Sequence, residues 1–213
     1  MHPKNKHTKL TLSEVENQME VLTKEEMNQL KGGFYIIEDP SGIVSQLKSD
    51  LSARISSLES ILCTVREGST EIDFGGMSFQ RRHIEETLNE YKATLREIKE
   101  LEQAAEVYHF DYGSIAKTDQ RGSVVYSTVP YENQDPGLVG HELKHQYQYH
   151  TGELIRGNND SPIGYDIQDE VSAYRRQDII NNGVDYFKRK LERKVEDIRK
   201  MLDEKGSLLY PNL

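Results

Sequence analysis

Asp135-Pro136-Gly137-Leu138-Val139-Gly140-His141-Glu142-Leu143-Lys144-His145-Gln146-Tyr147-Gln148-Tyr149 is the stretch on which the reading of the chain turns. Asp135 suits a helix N-cap, because its carboxylate can accept the unsatisfied amide hydrogens of the first turn. Pro136 suits the first helical position, where its missing N–H costs nothing. A helix begun in this way is expected to stop at Gly152. Residues four apart share a helical face, so His141 and His145 can close on a single zinc ion with Glu142 beside it, in the pattern H-E-x-x-H. This is the one place where the residues themselves suggest a reaction.

A hydrolytic zinc centre takes three protein ligands and leaves one position open. The third is expected from Asp169-Glu170-Val171-Ser172-Ala173-Tyr174, on a helix running from about Asp166 to Asn181. A Gly-, Asn- and Pro-rich loop over 156–165 precedes that helix and can reverse the chain. Glu170 then faces the histidine pair, and the small Ala173 lets the two helices approach. Asp166 and Asp169 are alternative ligands. His150 follows His145 by five residues and so turns about 140° further round the helix, away from the pair.

An H-E-x-x-H helix followed by a glutamate on a later helix resembles the zincin metallopeptidases of the gluzincin pattern. Together, 141–149 and 170–174 look like the small metallopeptidase domains of bacterial effectors and polymorphic toxins. The metzincin extension fails, since its glycine place holds Gln148 and its last histidine place Thr151. By this resemblance His141, His145 and Glu170 bind zinc and Glu142 is the general base. Tyr174, Tyr165, Arg175 and Tyr147 are candidates to stabilise the oxyanion, with Tyr174 foremost because it lies one turn beyond Glu170. Zincins often pair an edge strand with the extended substrate. Ser123 to Val129 either fills that place or is a buried structural strand.

Residues 1–33 carry Leu10, Leu12, Val15, Met19, Leu22, Met27 and Leu30 at helical intervals and close on Gly32-Gly33. Counted back from Gly33, Leu30, Met27, Leu22 and Met19 hold the fourth, seventh, twelfth and fifteenth places. This resembles the double-glycine leaders of bacteriocin-type precursors, which peptidase-transporters cut after the second glycine, and it implies an exported protein beginning at Phe34. Read without that resemblance, the segment is a plain N-terminal helix with a glycine cap.

Ile43, Leu47, Leu51, Ile55, Leu58, Leu62 and Val65 predict a helix ending near Gly68. Ile72, Phe74, Met77 and Phe79 around Gly75-Gly76 predict a short hairpin or a bent strand, and residues 80–106 predict a second helix. Strands are expected over Val107 to Tyr112 and Ser123 to Val129, separated by a turn at Asp119-Gln120-Arg121-Gly122. One charged helix is expected from about Val184 to Lys205. The expected class is α+β: a mostly helical zincin-like domain with a small sheet beside the H-E-x-x-H helix. The expected segments are a leader (1–33), a helical region (34–106) and a peptidase core (107–213).

The chain has 213 residues, 30% of them charged, and a net charge of -9, which argues against nucleic acid as a partner. No apolar run is long enough for a membrane span. Cys63 is the lone cysteine, so no intrachain disulfide forms. The function expected is a zinc peptidase acting on a peptide or protein, exported as a toxin or effector. The alternative is a non-catalytic exported precursor or binding module with a degenerate site, and metal content separates the two.

Overall fold

The computed structural model describes residues 37–66, 69–74, 76–132, 135–154 and 167–204. The expected leader lies outside the described residues, as do Tyr165, Asp166 and the loop glycines Gly157 and Gly164. The fold is α+β. Helix α1 (Ile43–Thr64) leads to a hairpin of β1 (Glu71–Phe74) and β2 (Met77–Gln80), then to α2 (Arg81–Glu102). Three strands follow, β3 (Val107–Gly113), β4 (Lys117–Arg121) and β5 (Val124–Pro130). After them come helices α3 (Pro136–Thr151), α4 (Ile167–Asn182), α5 (Val184–Arg189) and α6 (Val195–Glu204).

Alternate residues of β5, Val125, Ser127 and Val129, point into the molecule, as the two-residue period of a strand requires. Val125 and Val129 join Leu143 and Val139 of α3, and Leu47 and Leu51 of α1, in the main apolar core. That core runs across position 106, because the first two helices and the H-E-x-x-H helix share it. A smaller cluster of Ile72, Phe79 and Ile84 fastens the hairpin under the end of α1. No helix among the described residues is long and apolar enough to cross a membrane.

One expectation about the strands needs correction. Asp119-Gln120-Arg121 is not a turn but part of β4, which pairs antiparallel with β5, Arg121 opposite Val124. The reversal is a tight turn at Gly122-Ser123, where Gly122 takes φ 62°. The strand reads as a turn because it is an edge, with polar residues on its solvent face. The sheet order is β3-β5-β4, so of the two readings open for Ser123 to Val129 the structural strand holds: it is central and hydrogen-bonded on both sides. β4 is the edge instead.

The single charged helix expected over Val184 to Lys205 is broken. Lys190 takes φ 53°, the amide of Leu191 donates to the carbonyl of Tyr186, and the chain runs irregularly to Lys194. The break lets Arg193 reach back to Asp178 on α4 in a two-pronged ion pair, both contacts 2.6 Å. α6 then lays Ile198 and Leu202 on Tyr174.

α3 and α4 are antiparallel and unusually close, and glycine is the reason. A Cβ at Gly137 would stand 2.5 Å from the backbone oxygen of Gln177, and one at Gly140 would stand 2.2 Å from Ile180 Cδ1. Alanine in a helix interior ordinarily gains about 1 kcal/mol over glycine. Here the overlap falls on backbone and reverses the sign. Gly137→Ala is expected to destabilise the protein by about 1–3 kcal/mol, measured as a lowered midpoint in chemical denaturation.

Candidate metal centre

Local chemistry sets the start and end of α3. Asp135 accepts the amide of Gly137 at 2.9 Å, Pro136 occupies the first turn, and Gly152 ends the helix at φ 78°. The amide of Gly137 also donates to Asn181 Oδ1 at 3.0 Å, which ties the start of α3 to the end of α4. With the helices antiparallel, Gly137 lies by Asn181, Gly140 by Ile180, His141 by Tyr174, and Gln148 by Asp169. Glu170, in the first turn of α4, therefore falls between His141 and His145.

The Nε2 atoms of the two histidines are 3.1 Å apart. Glu170 Oε2 is 3.6 Å from His141 Nε2, and Glu170 Oε1 is 3.5 Å from His145 Nε2. Two atoms each about 2.0–2.1 Å from one zinc ion, at a tetrahedral angle, stand about 3.3–3.4 Å from each other. The measured separations bracket that value. Among the described residues these three are the group of histidine, cysteine and acidic side chains whose ligand atoms converge in this way.

Burial strengthens the fit. His141 is 5% exposed, His145 2% and Glu170 0%. A carboxylate wholly removed from water calls for compensating positive charge beside it. Two imidazoles and one carboxylate, all buried, form a donor set suited to a borderline divalent cation such as zinc.

The pKa of His145 follows the same electrostatics. Burial alone would lower it, but the hydrogen bond and charge of Glu170, helped by Glu142 and Gln148, outweigh burial and hold it above the ordinary histidine value. The field that favours an imidazolium there would favour a bound cation.

Gln148 sets the proton arrangement of His145. Its Nε2 donates to the backbone oxygen of Asp169 at 3.1 Å, so its Oε1 faces His145 Nδ1 at 2.8 Å. In the neutral ring Nδ1 then carries the proton, and the Nε2 lone pair would face a cation held between His141 and Glu170. Gln148 entered the sequence reading only as a mismatch to the metzincin pattern. Its place three residues after His145, on the same side of the helix, is the signal that could have marked it.

Glu142 is 3% exposed and lies on the sheet side of α3. Thr118 of β4 donates to its Oε2 at 2.7 Å, and Thr118 Oγ1 is 2.6 Å from Ser127 Oγ on β5. The sequence reading singles out neither hydroxyl: Thr118 lies just before the expected turn, and Ser127 lies in an expected strand whose inward face is not assigned.

The other candidates separate cleanly. Tyr174 packs edge-on against His141, with ring centroids 4.6 Å apart, and burial foremost, then the charge of Glu170, pushes its pKa up to about 12. Tyr147 donates to Glu100 at 2.8 Å, and Arg175 pairs with Glu90 at 2.6 Å. Both therefore point toward α2 and not to the histidine pair. His150 lies 3.7 Å from Glu106 and meets Tyr108 edge-on, apart from the centre. Asp169 is buried and its backbone oxygen anchors Gln148, but its carboxylate is not in the converging group.

Comparison of the chain with protein families, with curated proteins and with solved structures returns no match.

Proposed function

We propose that the protein is a zinc-dependent metallopeptidase in which His141, His145 and Glu170 hold the ion and Glu142 is the general base. The observation that carries this reading is the convergence of the three buried donor groups, with the Glu142 carboxylate on the adjoining side of the same helix. When bound, zinc would supply Lewis acidity at a peptide carbonyl and at the attacking water.

The chain's own groups would handle the protons and the positioning. Glu142 would take the proton of the attacking water and pass it to the leaving amine. Tyr174 packs edge-on against His141, and among the candidate hydroxyls described this contact favours it as the donor to a developing oxyanion. The outer edge of β4, on the Glu142 side, offers backbone groups to an extended peptide by strand addition.

The double-glycine pattern ending at Gly33 supports export as a precursor, and a toxin or effector role accords with both resemblances. The peptidase is tested with the purified full chain and an unstructured protein substrate. Cleavage is expected to stop on chelation and return with added zinc. Cleavage that survives complete chelation would contradict the reading.

A further inference from the structure

We infer that Thr118, backed by Ser127, is the positioning residue for Glu142, and that the sheet sets the orientation of the base on the helix. This rests on the peptidase reading above.

The proton count gives the direction of the relay. An ionised carboxylate only accepts hydrogen bonds, so the single proton of Thr118 goes to Glu142 Oε2, 2.7 Å away. Thr118 Oγ1 then has lone pairs to offer, and Ser127 Oγ, 2.6 Å from it, donates. The order is Ser127 to Thr118 to Glu142. Thr118 Oγ1 also lies 3.2 Å from the backbone oxygen of Glu142, which competes for the same proton at the longer distance, so the carboxylate is the main partner.

All three side chains are shut away from water, Ser127 at 0% exposure and Thr118 at 7%. Water therefore cannot replace a lost hydroxyl without rearrangement. Glutamate has three rotatable side-chain bonds, and a base must stand close to one orientation to take a proton from a fixed position. Thr118 holds the carboxylate by one oxygen and so fixes the plane of the group. Placing the hydroxyl on β4 has a further consequence: a peptide that adds to this edge strand would bind to the same element that holds the base, which ties substrate register to base position.

Thr118→Val keeps the branched shape and removes the hydroxyl. In the full chain its kcat is expected to fall by about 10–100-fold, the usual cost of losing a supporting hydrogen bond around a site. KM and zinc content should stay at wild-type levels. Thr118→Ser, which restores the hydroxyl, should recover kcat to within about threefold of wild type on the same reasoning.

A second readout does not depend on activity. In the metal-free protein the denaturation midpoints of Thr118→Val, Glu142→Ala and the double variant should be non-additive, as for any directly bonded pair. Additive midpoints, or a wild-type kcat in Thr118→Val, would overturn the inference while leaving the peptidase intact. A wild-type chain that neither holds zinc nor cleaves would overturn both. If Thr118→Val does not fold, Ser127→Ala takes its place: a fall in kcat at constant KM supports the relay, and an unchanged kcat refutes it.

Discussion

Glu142→Gln should leave one zinc ion per chain while kcat falls by about 10²–10⁴-fold, the range over which a general base ordinarily acts. That loss corresponds to roughly 3–5 kcal/mol of transition-state stabilisation. The argument is local. Glutamine has the same length and can still accept the hydrogen of Thr118, so the contact at 2.7 Å and the buried packing survive. The ion-holding atoms belong to His141, His145 and Glu170, and the substitution touches none of them. What disappears is a group able to take a proton at neutral pH. Metal analysis beside steady-state kinetics separates the outcomes, since loss of zinc in this variant would move Glu142 from base to ligand.

Glu170→Ala should weaken zinc binding by more than about 100-fold, beyond what loss of a merely supporting partner costs. Its carboxylate bridges the two histidines at 3.6 and 3.5 Å, is wholly buried, and is the one acid in the converging group among the described residues. A ligand that binds only the folded state stabilises it by about 4 kcal/mol at a thousandfold excess over its dissociation constant. Zinc should therefore raise the melting temperature of the wild type, and that of Glu170→Ala by no more than about a third as much. His141→Ala should behave in the same way. A zinc-induced rise of wild-type size in Glu170→Ala would mean that another acid serves.

The parts legible in the sequence are those decided by near neighbours. Asp135 and Pro136 open α3 and Gly152 ends it because capping is settled within one turn. Glu170 could be read as facing the histidines because it falls in the first turn of a helix legible from local sequence. Of the hairpin and the bent strand expected over 72–79, the hairpin holds, β1 pairing antiparallel with β2.

The parts that escaped are decided at a distance. β4 carries Lys117, Asp119, Gln120 and Arg121, a polar run that becomes a strand only because β5 offers it a partner. With β4 went Thr118 and the support of the base. The break at Lys190 follows from Arg193 finding Asp178 across the fold, a pairing that helical spacing alone does not reveal. Gly137 and Gly140 look like weak points in a helix until α4 lies against them. Arg176, buried beside Glu97 where Lys144 also approaches, joins α2, α3 and α4 by charges that read as a solvated face.

The most direct test is diffraction at the zinc absorption edge from crystals of the full chain grown with zinc at neutral pH. The account predicts one strong anomalous peak between His141 Nε2, His145 Nε2 and the Glu170 carboxylate. No peak there with zinc supplied, or a peak held by other residues, would contradict it.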